Sequence, residues 1–224
     1  MSVCVSTTPP KHKHRTATAD RRPRGRPRKT EDERDDGNRR HELLAAAARL
    51  FRLHGFDATS TRDIAAAVGM HSGSPFYHFK SKGAMLYAVM EEGMRSAIAR
   101  QSKACEGVGA AAPRIVMRGL IRAHFETLLG SGNDFVPVML YEHRSLSAAQ
   151  RTSLAKLQAQ YELAWTPVLE ALSRRGQLRA PVKLARLLIL GALNWSVQWF
   201  DAKKGASIDE LTDAAVALFF EDGA

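Results

Sequence analysis

Residues 59–82, TSTRDIAAAVGMHSGSPFYHFKSK, constrain what this chain can fold into more than any other stretch. Ser60-Thr61-Arg62-Asp63 reads as a capping box, in which Ser60 accepts from a first-turn amide while Asp63 reaches back. Ile64, Ala65 and Val68 then share an inward face, and Gly69 ends the helix after about two turns. A second short helix begins near Ser72 and ends around Phe79. Pro75 lacks a backbone donor and fixes φ, so it is tolerated only in the first turn of that helix. Lys80-Ser81-Lys82 leads into a further helix starting near Gly83. Upstream, Leu43, Leu44, Ala47, Leu50, Phe51 and His54 fall on one stripe at helical spacing, stopped by Gly55, with Phe56 packing beneath.

Three helices so arranged read as a helix-turn-helix unit whose third helix enters the major groove of DNA. Ser72 and Ser74 are short donors and acceptors at that helix's start, where base edges would lie. Gly73 permits close approach. Tyr77 and His78, with Thr61 and Arg62 at the start of the preceding helix, are expected to reach phosphates, and Lys82 to add an ammonium from the next helix. Phe79, His54 and His71 are read as core or surface residues without a ligand role.

Charge agrees with this reading. The chain has 224 residues and a net charge of +10. Residues 1–38 carry +4, residues 39–82 another +4, and residues 83–224 only +2. A basic front and a near-neutral back suit a polyanion-binding module attached to something else. Residues 1–38 lack large apolar side chains and are expected to be a disordered basic tail. Within it, Arg24-Gly25-Arg26-Pro27-Arg28 resembles an AT-hook, a peptide that lies in the minor groove. Gly25 and Pro27 favour an extended backbone, and Arg24, Arg26 and Arg28 can follow the potential of a narrow groove. A solvated tail giving only non-specific phosphate attraction is the competing reading.

Residues 40–86 also resemble the DNA-binding domain of the TetR family of transcriptional repressors. The residues that carry the resemblance are Leu50-Phe51-x-x-x-Gly55-Phe56, Thr59 to Ala65, Val68-Gly69, Ser72-Gly73-Ser74, Phe76-Tyr77-His78-Phe79 and Lys80-Ser81-Lys82. The resemblance implies a homodimer that binds a palindromic double-stranded operator and leaves it when a small molecule enters the C-terminal domain. It adds Phe76 to the DNA-facing set. Two positions depart from the family pattern. Pro75 stands where leucine is usual. Phe76 stands where tyrosine is frequent, which passes any hydroxyl contact to Tyr77.

The remainder reads as helices without strand alternation. A fourth helix carries Met85, Leu86, Val89 and Met90 toward Ala104, and Ile115 to Leu129 is amphipathic. Phe135 to His143 is short or kinked at Pro137. Ser147 to Arg175 reads as one long helix kinked at Pro167 and capped by Gly176. Met117, Phe125, Met139, Tyr141 and Trp165 are the candidate lining of a pocket for a small hydrophobic effector, with His124, Glu142, His143 and Arg144 among them. A plain core is the alternative for that aromatic and methionine set. Val182 to Phe200 is apolar nearly all round, and Ile208 to Phe220 carries a second stripe. Such faces are buried or meet another chain. By the resemblance they form a dimeric four-helix bundle, with Leu190, Leu193, Val197, Leu211 and Leu218 at the interface. Gly191-Ala192-Leu193-Asn194-Trp195-x-x-x-Trp199-Phe200 also resembles a segment of family members that sense acyl-CoA thioesters.

Nothing in the pattern suggests catalysis. GxSxG, P-loop, HExxH and CxxC motifs are absent, and Glu91-Glu92 and Asp209-Glu210 are adjacent carboxylates on different faces. No cofactor or metal is expected. Cys4 and Cys105 do not form a paired motif. No signal-peptide h-region or membrane-length apolar run occurs, so a cytoplasmic protein without a membrane partner is expected. The expected architecture is all-α. It comprises a tail over 1–38, a three-helix DNA-binding domain over 39–84, and a ligand-binding and dimerisation bundle of about six helices over 85–224. An architectural DNA-binding protein that uses the tail and has no effector is the alternative function.

Overall fold

A computed structural model describes residues 31–106, 112–130 and 134–221. Every regular element among them is helical. Arg24, Arg26 and Arg28 lie outside the described residues. Helix α1 spans Glu31–His54, α2 Thr61–Ala67, α3 Pro75–His78 and α4 Lys82–Cys105. Then follow α5 Pro113–Leu129, α6 Phe135–Glu142, α7 Ala148–Leu163, α8 Trp165–Arg174, α9 Val182–Trp195 and α10 Ile208–Phe219. The first helix begins at Glu31, eight residues inside the segment read from sequence as tail.

Helix α4 organises the molecule. It packs against α1 on one side and against α5, α6 and α7 on the others, so the N-terminal unit and the bundle share one helix. The buried face of α4, with Met85, Leu86, Val89, Met90 and Met94, runs continuously from one to the other. Fully burying side chains of this size contributes roughly 1.5–3 kcal/mol each, enough to bind the two units into one core. Helices α4 and α5 approach closely at Gly119, where an added Cβ would stand 3.2 Å from the Ala104 carbonyl oxygen. A larger residue there would push the two helices apart.

Pro167 interrupts the hydrogen-bond ladder of the long helix expected over 147–175 at Ala164, whose backbone stays helical at φ −71° and ψ −23°. With no N–H it cannot donate to the carbonyl four residues back, at Leu163. Helix α7 accordingly stops at Leu163 and α8 starts at Trp165, leaving Pro167 in the first turn of α8. Gly176 follows α8 with φ +70°, as its reading as a cap requires. Helix α8 packs on α5 and α9, and α10 lies along α5. Arg118 binds Asp213 through two bonds of 2.6 and 3.1 Å, and Arg122 binds Asp209 at 2.8 Å, which fixes α10 to α5.

Candidate DNA-binding surface and effector cavity

The N-terminal unit is assembled by local chemistry. Gly55 ends α1 at φ +81°, a conformation a side chain would strain. The Thr59 hydroxyl donates to the Gly55 carbonyl at 2.8 Å, which closes the turn. Ser60 and Asp63 form the expected capping box: the Asp63 amide donates to Ser60 Oγ at 3.1 Å and the Ser60 amide to Asp63 Oδ2 at 2.9 Å. The Ser60 hydroxyl, which donates to Asp63 Oδ2 at 2.6 Å, and then the Ser60 amide hold the Asp63 carboxyl below its ordinary value. Beyond Gly69 the chain turns tightly. The amides of Ser74, Phe76 and Tyr77 donate to the carbonyls three residues back, at His71, Gly73 and Ser74.

Helix α3 is therefore a single turn, shorter than the expected span from Ser72 to Phe79. Pro75, at its first position, is buried, and Ser72 and Gly73 belong to the turn before it. Phe79 returns to the core beneath the Arg40 guanidinium, 4.9 Å from its ring centre. The projecting tip consists of Ser72, Gly73, Phe76 and Tyr77, all exposed; Tyr77 is 92% exposed. Ser74, His78 and Thr61 are half-buried and Arg62 is exposed. Large aromatic rings left in water on so small an element suit a surface that is covered when it works.

Lys82 differs from its expected role at a phosphate. Its ammonium donates to the carbonyls of Phe56 at 2.8 Å, Asp57 at 3.4 Å and Thr59 at 2.9 Å, and lies 4.2 Å from the centre of the Phe56 ring. An ammonium has three donors, and all three are engaged. Lys82 thus ties the start of α4 to the loop between α1 and α2. Helix α6 holds the same loop from the other side. Glu142 accepts from the Phe56 amide at 2.9 Å, and Asp134, just before α6, pairs with Arg52 at 2.7 Å.

Between α4, α5, α6, α7 and α9 lies a cavity of about 250 Å³. Its apolar wall includes Met94, Leu128, Met139, Leu187 and Leu190. Its polar side is a chain of three residues from three helices. His124 Nδ1 lies 2.7 Å from the Tyr161 hydroxyl, and His124 Nε2 lies 3.1 Å from Asn194 Oδ1. Burial lowers the His124 pKa to about 4 and raises that of Tyr161, so both are neutral near pH 7.

Of the five residues expected to line a pocket, only Met139 does. Met117, Phe125 and Trp165 are fully packed in the core, and Tyr141 is half-exposed on the outside. Large side chains fill space, and the cavity lies where smaller ones, such as Ala97, Thr127 and Gly191, leave it. Asn194 stands inside the run read from sequence as apolar nearly all round. The signal for the chain of three was in that anomaly: a polar side chain on an otherwise apolar helix needs a buried partner.

A long apolar strip remains in water on α9 and α10. Leu184, Leu187, Leu188 and Trp195 are more than half exposed on α9, and Leu218 is 79% exposed on α10. Of the residues expected at an interface, Leu218 lies in this strip and Leu190, Val197 and Leu211 are half-buried at its edge. Leu193 is the exception. It faces inward at 2% exposure because it lies on the opposite side of α9 from Leu188 and Trp195, against the protein's own core.

Among the described residues no group of three or more histidine, cysteine, aspartate or glutamate side chains could hold a metal, and no helix is long and apolar enough to cross a membrane.

Comparison with known proteins agrees with this arrangement. Residues 43–89 match the family model described as bacterial regulatory proteins, tetR family, and residues 111–222 match the tetracyclin repressor-like C-terminal domain. The chain is 27% identical over 199 residues to the HTH-type transcriptional repressor KstR2 of Rhodococcus jostii strain RHA1, covering 87% of this chain and 96% of that one. Its fold is similar to the crystal structure of superantigen PfiT, with a TM-score of 0.68 and 37% identity over 81% of this chain and 96% of that one. It is also similar to AibR solved with isovaleryl coenzyme A and operator DNA, with a TM-score of 0.74 and 23% identity over 81% of this chain and 98% of that one. With a helix-turn-helix unit at one end of α4, a helical bundle at the other and both halves matched by the family's models, the chain belongs to the TetR family of transcriptional regulators.

Proposed function

We propose that this protein is a cytoplasmic repressor that binds a palindromic operator as a homodimer and is released by a small, largely apolar effector in the cavity behind α4. The observation that carries this reading is the double attachment of one loop. Helix α4 lines the cavity with Met94 and Ala97 and holds the α1–α2 loop through Lys82. Helix α6 lines the cavity with Met139 and Leu140 and holds the same loop through Glu142. A ligand that moves either helix moves the helix-turn-helix unit. In a dimer joined through α9 and α10 the two tips would address successive major grooves, about 34 Å apart. A small change of that separation is enough to lose the operator, with a coupling of roughly 1–3 kcal/mol. The repressor assignment is supported by the likeness to KstR2. An acyl thioester is the effector class favoured by the segment from Gly191 to Phe200, in which Gly191 and Asn194 line the cavity.

The test is selection of a duplex from random oligonucleotides, followed by anisotropy titrations with and without acyl-CoA thioesters of graded chain length. A selected inverted repeat, bound by two chains and released by one thioester at saturation, is the expected result. A chain that selects no sequence would refute the repressor reading. Selection without release by any thioester would refute the effector class alone.

A further inference from the structure

The chemistry of the cavity wall specifies what kind of molecule enters it. No lysine or arginine lines the space, and its acidic lining residue, Glu162, is paired with Arg186 at 3.2 Å. Arg186 in turn donates to the Thr166 hydroxyl at 2.8 Å. The Thr127 hydroxyl is committed to the Ala123 carbonyl at 2.7 Å. The histidine of the polar chain is buried and uncharged. A carboxylate brought inside would lose its water and meet no cation, with an acid as a neighbour.

Hydrogen-bond direction defines the polar contact. Asn194 Oδ1 can only accept, so His124 Nε2 donates to it. The neutral ring's Nδ1 then accepts, and the proton comes from the Tyr161 hydroxyl. This leaves the Asn194 Nδ2 amide without a partner among the described residues, on the polar side of the cavity wall, where the Gln158 amide is a second neutral donor. The space, about 250 Å³, admits a short apolar chain.

We propose that the cavity binds an uncharged carbonyl compound with a short apolar body, its oxygen accepting from Asn194 Nδ2, and that it discriminates against the matching free carboxylate. This deepens the effector reading above and rests on it, but it is measured without DNA. A failed operator experiment therefore leaves it standing, and its own failure leaves DNA binding untouched.

Calorimetric titration of the full-length chain with octan-2-one, octanoyl-CoA and octanoate tests it. At least one carbonyl probe should bind about tenfold or more tighter than octanoate, as loss of roughly 1.4 kcal/mol requires. Binding of the ketone identifies a free carbonyl compound; binding of the thioester alone identifies a carrier-borne acyl group whose carrier stays outside the cavity. Asn194→Leu removes the donor, and Asn194→Asp keeps the shape and the acceptor for His124 while removing the same donor. Each variant, verified as folded by circular dichroism, should weaken the carbonyl probe about tenfold. Octanoate binding as tightly as the carbonyl probes, absence of binding by all three, or full affinity in both folded variants would overturn the proposal.

Discussion

A lysine ammonium has three protons to donate, and at Lys82 three backbone carbonyls take them. Removing them leaves those carbonyls short of a charged donor. Lys82→Ala should lower stability by about 2 kcal/mol, the scale of a hydrogen bond to a charged group, as measured by urea denaturation. The fraction that remains folded should bind DNA with an unaltered salt dependence, because no phosphate contact is lost. Gly73 is the opposite case. A Cβ built there meets nothing within 4 Å, so substitution is free of internal strain. Gly73→Asp should retain wild-type thermal stability while operator affinity falls by more than about tenfold, since it points an anion at the phosphate-lined groove. Retained affinity in an anisotropy titration would place the DNA contact elsewhere. The two residues also mark what a sequence discloses at this scale. Ser60 and Asp63 could be read because a capping box is complete within four residues. The bonds of Lys82 could not be read because its partners lie 23 to 26 residues away, and a basic side chain near a recognition helix suggests phosphate by default.

Helices repeat the distinction between local and distant causes. Glycine stops, caps and apolar spacing placed α1, α2, α4, α5, α9 and α10 to within a few residues, apart from the start of α1 and the end of α9, which stops at Trp195 and not at Phe200. Pro167 was legible as a disturbance because a missing N–H is a local cause. The cavity stayed hidden because its cause is not local: it is defined by what the helices fail to fill. Between α5 and α10, exposed ion pairs add to the apolar packing of Ala215 and Val216. Asp209 is held below the ordinary carboxylate value by Arg122 and then Arg118, and Asp213 by Arg118. Folded-state values below the unfolded 3.8 mean that the ion pairs stabilise fully above that pH. The contribution is lost as the pH falls through the lowered values. Arg118→Gln should therefore melt below the wild type at pH 7, and the difference should shrink as the pH falls below 3.8, followed by thermal circular dichroism. A difference that persists in acid would assign the effect of Arg118 to its stem packing instead.

At the scale of the whole molecule, the exposed strip from Leu184 to Trp195 and Leu218 is too apolar to stay in water. Leu188→Arg combined with Leu218→Arg should give a folded monomer in sedimentation experiments and abolish operator binding, because a single tip cannot span two grooves. Unchanged mass would move the interface off these helices. The loop between α1 and α2 carries a different consequence. Two helices grasp it, and both form walls of the cavity. Linkage makes any such connection run in both directions with equal strength. Protein already seated on its operator should hold the small molecule more weakly, by the same factor by which the small molecule weakens DNA binding. Inducer would then be drawn first to the idle copies in the cell, and a surplus of unseated protein would delay derepression.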